Sequence, residues 1–250
     1  MAKIFAFCNK KGGVAKTTSA LAIGAGLMKR GKKVLFIDLD SQCNLSNTFP
    51  TEKNSANIFN VLALKVPVEK AVQHTSMGKI IPAVESLNAI DVVLNQTGKE
   101  FRLKEILESI IPNYDFILVD TPPSLEVLTI NALTAADEII IPTQADMYSY
   151  DGIKQLWQAI KTNRKYCNRD LKVAGILITR YNNRTNINKA VKADLIKMAT
   201  AVATKVFKTE IRECVALREA QLLHENIYSY APTCNAVKDY DAVIDELEAD

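Results

Sequence analysis

Five short runs of the chain are almost continuously apolar, and stretches with helical spacing of apolar residues separate most of them. The runs are Lys3–Cys8, Val34–Asp38, Phe116–Asp120, Glu138–Pro142 and Val173–Thr179. Each has strand length, is rich in β-branched or aromatic residues, and is bounded by turn residues or charges. A strand that is apolar on both faces must be covered on both, as happens in a parallel sheet with crossover helices. Helices are predicted at Lys16–Arg30, Phe101–Ile111, Ser124–Ala135, Ile153–Tyr166, Ile187–Phe207 and Tyr240–Glu248. In the fifth, apolar positions 187, 191, 195, 198, 202 and 206 form one stripe, with Lys189, Lys192 and Lys197 off it. Thr48–Asn57 and Gln144–Asp151 read as loops at one end of the sheet. The expectation is an α/β fold in one domain over residues 1–250, a doubly wound, mostly parallel sheet with helices on both faces.

Between the first strand and the first helix lies Asn9-Lys10-Lys11-Gly12-Gly13-Val14-Ala15-Lys16-Thr17-Thr18. Glycines let backbone N–H groups turn inward around phosphate oxygens, and a helix N-terminus adds unpaired N–H groups aimed at an anion. Lys16 reaches the outer phosphates, and the Thr17 hydroxyl can ligate Mg²⁺. The second strand ends in Asp38-Leu39-Asp40-Ser41-Gln42, placing two carboxylates at i and i+2. Alone this stretch reads as a polar strand end with a helix cap; beside the glycine loop it faces a metal-bound phosphate. Phe116-Ile117-Leu118-Val119-Asp120 is a buried strand delivering one carboxylate to the Mg²⁺ shell. All three motifs fall at the C-terminal ends of strands, where doubly wound sheets bind ligands.

Lys11-Gly12-Gly13-Val14-Ala15-Lys16-Thr17 resembles the deviant Walker A motif of the ParA/MinD family of P-loop ATPases. Asp38-Leu39-Asp40-Ser41-Gln42, Asp120-Thr121-Pro122-Pro123 and the later strands around Ile139–Gln144 and Gly175–Arg180 are similar to that family as well. The resemblance implies ATP and Mg²⁺ as cofactors, bound by Lys11 through Thr18, with Thr179 and Arg180 beside the base. It implies catalytic roles for Lys11, Lys16 and Asp40. Lys11 would reach phosphates across a dimer interface, and Asp40 would position the attacking water. Thr17, Asp38 and Asp120 would serve the metal. The family usually has Gly where this chain has Ala15, and a left-handed backbone there would cost Ala about 1 kcal/mol.

The chain carries a net charge of +3, unevenly spread. Residues 1–150 are neutral, 151–218 carry +10 and 219–250 carry −7. Such a basic stretch attracts polyanions. Arg184, Lys189, Lys192, Lys197, Lys205, Lys208, Arg212 and Arg218 crowd a segment that resembles the part of ParA proteins touching DNA; all but Lys205 are taken as the candidate contacts. The motif there differs from the family's, reading Glu213-Cys214-Val215-Ala216-Leu217-Arg218-Glu219-Ala220.

A MinD-like membrane protein would need a basic amphipathic end, whereas Asp239–Asp250 is acidic, so no membrane is expected. Iron–sulfur relatives need suitably placed cysteines, and none follows Asp120 until Cys167. His74 and His224 form no metal grouping. No helix-turn-helix precedes the first strand and no signal segment is evident. The reading is a short, Soj-like partition ATPase, an ATP-bridged homodimer binding non-specific double-stranded DNA and stimulated by a ParB-like partner, cytoplasmic and nucleoid-associated. The alternative is a MinD-like positioning ATPase acting at a membrane or on a protein cargo.

Overall fold

The computed structural model describes residues 2–52, 54–146 and 149–249. Strand β1 (Lys3–Phe7) leads through the glycine loop into α1 (Lys16–Lys29), followed by β2 (Val34–Asp38) and α2 (Asn44–Thr48). Next come α3 (Ile58–Leu64), a hairpin of β3 (Gln73–Thr75) and β4 (Gly78–Ile81), then α4 (Ile90–Val93) and α5 (Arg102–Leu107). The second half runs β5 (Phe116–Asp120), α6 (Val127–Ala135), β6 (Glu138–Gln144), α7 (Ser149–Tyr166), β7 (Lys172–Thr179) and α8 (Asn186–Ala201). Helices α9 (Val215–Leu222), α10 (Ile227–Tyr230) and α11 (Asn235–Glu248) follow.

These strands form one sheet in the order β3-β4-β2-β5-β1-β6-β7. Neighbours pair in parallel except β3, which lies antiparallel on β4. Because side chains alternate along a strand, β1 feeds two cores. Ile4, Ala6 and Cys8 join the cluster that includes residues of α3, α5, α6 and α7. Phe5 and Phe7 join the opposite cluster, covered by α1 and α11. The three strands whose ends carry the motifs, β2, β5 and β1, are adjacent in the middle of the sheet. Helix α1 lies close on this sheet because Gly24 has no side chain, and a Cβ there would collide with the Phe36 ring.

The expected fold class is found, with corrections at element ends and in the edges. The predicted helix over Ile187–Phe207 stops at Ala201, since Ala203 turns left-handed at φ +54° and the chain folds back. There Val206 bridges to Ile176, and the Phe207 amide donates to the Ile176 carbonyl at 3.0 Å. Of its apolar stripe, Leu195 is buried while Ile187 is exposed. The helix predicted over Phe101–Ile111 is α only through Arg102–Leu107, with 3₁₀ turns at Lys99–Phe101 and Ile111–Asn113 on either side. Instead of Ser124, α6 starts at Val127, and α11 starts at Asn235 rather than Tyr240. The loop read over 144–151 is shorter, as β6 includes Gln144 and α7 begins at Ser149. Met147 and Tyr148, and Lys53 in the loop read over Thr48–Asn57, lie outside the described residues.

Candidate nucleotide site

The loop after β1 gets its curvature from two left-handed residues, Gly13 (φ +73°) and Ala15 (φ +67°). Between them Val14 is fully buried and anchors the loop. Glycine takes this conformation freely, whereas at Ala15 the Cβ crowds the backbone at a cost of roughly 1–2 kcal/mol. Helix α1 begins at the next residue, Lys16, so its free N–H groups open onto the loop.

Polar side chains from the neighbouring strands pin the loop from behind. Asn9 donates through Nδ2 to the Pro142 carbonyl at 2.7 Å and accepts the Lys11 N–H at 3.0 Å. Gln144 Nε2 donates to the Gly13 carbonyl at 2.8 Å. The Thr179 hydroxyl is shared between the carbonyls of Val14 and Thr143, each at 3.1 Å. Sequence reasoning missed Asn9 and Gln144 as holders of the loop. The signal was Asn9 at the head of the loop, a polar residue ending an apolar run. Thr179, expected beside the base, is buried behind the loop; it and Arg180 border a small side cavity with Ala15 and Thr18.

In front of the loop stand three carboxylates. Asp38 and Asp120 are cross-strand partners in the β2–β5 register and both are fully buried. Burial pushes the Asp38 carboxyl up to about 6, although the Ser46 hydroxyl (2.7 Å), the Asp40 N–H (2.9 Å) and the Ser46 N–H (2.8 Å) all donate to it. Both of its oxygens are thereby occupied, and Asp38 braces the turn that carries Asp40. The Asp40 carboxylate accepts the Gln42 N–H at 3.0 Å and lines the open cleft.

Burial, and then repulsion from Asp38, raises the Asp120 carboxyl well above the usual carboxylate range. Its Oδ2 accepts the Thr17 hydroxyl at 2.5 Å, while its buried Oδ1 has no hydrogen-bond partner. A lone carboxylate oxygen beside a hydroxyl fits the shell of a hard divalent cation. Among the described residues no group of three or more His, Cys, Asp or Glu could hold a metal. Mg²⁺ does not need one, since it keeps several waters and takes phosphate oxygens with one or two protein ligands. Thr17 and Asp120 are the residues that could hold it.

The two loop lysines part company. Lys16 is buried, with its ammonium donating to the Lys11 carbonyl at 3.3 Å. Burial lowers its pKa, and the charges of Asp120 and Asp40 oppose that shift. Lys11 turns the other way and pairs its ammonium with Asp146 beyond β6. The cleft itself, about 690 Å³, opens between the loop, Asp40 and α2 on one side and Arg218 and His224 on the other.

The basic segment is less uniform than its sequence. Lys192 is paired with Glu210, Lys197 with Asp194, and Arg212 with Asp239 at 2.5 Å. Arg184, Lys189 and Lys208 are exposed. Arg218, on α9, stands apart from these on the wall of the cleft.

A parallel sheet with a glycine loop, an invading lysine and a threonine–aspartate pair at its central strand ends defines a P-loop ATPase that works with Mg²⁺. The AAA domain family matches residues 2–173, and the chain is 36% identical over 254 residues to the sporulation initiation inhibitor protein Soj of Bacillus subtilis, covering 100% of this chain and 99% of that one. The chain belongs to the Soj/ParA family of partitioning ATPases. It is also 33% identical over 245 residues to the chromosome partitioning protein ParA of Caulobacter vibrioides, covering 95% of this chain and 91% of that one. Among solved structures it is similar to a cobyrinic acid a,c-diamide synthase from Mycobacterium smegmatis with bound ATP analog and magnesium. That likeness has 30% identity and a TM-score of 0.88, over 99% of this chain and 94% of that one. Among the described residues no helix is long and apolar enough to cross a membrane.

Proposed function

We propose that this protein is a DNA-partitioning ATPase whose ATP-bound form is a homodimer that holds DNA without sequence preference. The observation that carries the reading is the contrast between the loop lysines. Lys16 lies inside its own cleft, whereas Lys11 lies on the outer side of the loop, where a second subunit's phosphates can meet it. Full-length likeness to Soj supports the same reading.

Within one subunit the residues divide the work. The loop amides and Lys16 would hold the phosphate tail, and Thr17 with Asp120 would hold the Mg²⁺, which would neutralise charge on the phosphates when bound. Asp40, fixed by Asp38 and by the Gln42 amide, orients the attacking water. Hydrolysis then loosens the dimer, and a ParB-like partner accelerates it.

Arg184, Lys189 and Lys208, exposed and without a carboxylate partner among the described residues, supply the DNA face, with Lys192, Lys197 and Arg212 exchanging their present partners for phosphates. Pairing two such faces doubles the phosphate contacts, so a weak monomer becomes a firm dimeric binder. The protein would accordingly work in the cytoplasm, on the nucleoid.

The test is co-sedimentation with DNA in ATP, in ADP and without nucleotide, across a salt series. Retention that needs ATP, ignores sequence and falls steeply with salt is the expected result. Retention on anionic liposomes instead would favour a membrane-positioning ATPase, and turnover that requires an organic acid and an amide donor would favour a synthase.

A further inference from the structure

Arg218 lies in the basic segment by sequence but in the nucleotide cleft by position. It lines the large cleft together with Gly12, Lys16 and Thr17, and it also lines the small side cavity with Ala15 and Thr18. The arginine therefore sits at the seam between the two. We propose that Arg218 is a nucleotide-binding residue whose guanidinium bonds the phosphates of the bound nucleoside triphosphate rather than DNA. The inference rests on the ATPase reading of this site, not on the partition reading.

Three observations support it. The first is that α9 is held in place over the cleft. Ala220 is buried, Leu217 shares a small apolar pocket with Thr18 and Leu21 of α1, and just past the helix His224 Nδ1 lies 3.0 Å from the Thr48 carbonyl on the far side of the cleft. Position 218 is thus fixed toward the loop by packing on both sides of it.

The second is that Arg218 has no ion-pair or hydrogen-bond partner among the described residues, although its neighbour in sequence, Arg212, is held by Asp239 through its Nε at 3.0 Å and its Nη2 at 2.5 Å. An unpaired guanidinium beside a phosphate loop offers a planar fork that matches phosphate oxygens in pairs.

The third is charge. Asp40 lines the cleft just past β2 and Asp120 is buried at the end of β5, while of the cations there Lys16 is a buried ammonium that feels both charges and Arg180 stands exposed beside Arg218. A phosphate tail entering this cleft meets two carboxylates and benefits from a further cation on the opposite wall. Arg218 provides one that costs little desolvation, since it remains exposed.

The experiment is calorimetric titration of MgATP and MgADP into the full chain, its Arg218→Gln and Arg218→Lys variants, and Arg169→Gln as a comparison. Losing one charge-assisted phosphate contact should weaken ATP binding by roughly 10-fold or more in Arg218→Gln. Arg218→Lys should recover part of it, keeping the charge without the fork. Arg169→Gln, an exposed arginine away from the cleft, should leave the nucleotide affinity unchanged. DNA co-sedimentation is then run at ATP concentrations that saturate each variant. Retention by Arg218→Gln equal to that of the parent is expected, because the arginine acts through the nucleotide. Unchanged ATP affinity in Arg218→Gln overturns the proposal, and so does retention that stays low at saturating ATP. If the parent retains no DNA at all, the partition reading falls while the titrations still decide the role of Arg218.

Discussion

The phosphate site in the middle of the sheet and the basic segment after β7, the proposed DNA contact, both gather charge, yet they are built differently. At the ends of β1, β2 and β5 the polar groups are buried and each has a place in a network, from Asn9 behind the loop to Asp38 behind Asp40. From Arg184 to Arg212 the cations lie mostly at the surface, and some are already neutralised by carboxylates far away in the chain. A buried phosphate site fixes the role of each residue, because a polar group without a partner there is costly. A surface one fixes only a summed charge, so individual residues count for little.

The contrast breaks most easily at Lys16. Its replacement by alanine should weaken ATP binding by at least about 100-fold, since a buried cation that contacts phosphate is lost; calorimetry that finds near-parental affinity would end the P-loop reading. Asp40→Ala should keep nucleotide bound while hydrolysis falls by about 100-fold or more, leaving a persistent dimer in gel filtration. A variant that still turns over normally would remove Asp40 from the water-positioning role.

Asp120→Asn tests the burial of charge. Asp38 titrates near 6 in the folded chain against about 3.9 when unfolded, so the folded state binds its proton more tightly. This term favours the folded state below about pH 4 and is lost as pH rises through about 6. Burial and repulsion from Asp38 raise Asp120 in the same direction, so the ligand-free variant should match the parent near pH 4 and exceed it at pH 7. Urea denaturation across that range checks it, and a gap that does not change with pH would count against the coupled carboxylates. Ala15→Gly should stabilise the chain by about 1 kcal/mol, read from the same denaturation curves; a loss of stability would mean the methyl group has packing value that outweighs the strain.

The smallest effects belong to the surface. Lys189→Ala should reduce the salt slope of DNA binding by about 1, and Lys192→Ala by less, since Lys192 must first give up Glu210. Equal slopes for the two would show that the pairing seen in the single chain does not matter on DNA.

The same division decided what could be read from the residues. β2 and β5 were legible to the residue, and the loop, Lys16, Thr17 and the aspartates were located because buried chemistry restricts residue type. The β3–β4 hairpin was not, because only Ile80 and Ile81 carry its apolar signal and the strand forms by pairing with β2. Helix α9, eight residues long, gave too short a pattern. That Asp239 neutralises Arg212 across 27 positions, or that Arg218 faces the cleft, depends on packing between α9, α11 and the sheet. Charge counts along the chain carry no trace of it.

Gly24 gives the close seating of α1 a further meaning. The helix that presents its first amides to the phosphates also rests on Phe36 of β2, about 12 Å along its axis from Lys16. A single methyl at that contact would lift the helix from the sheet and shift the anion cradle relative to the aspartates. The accuracy of catalysis is therefore hostage to a residue that no substrate ever meets.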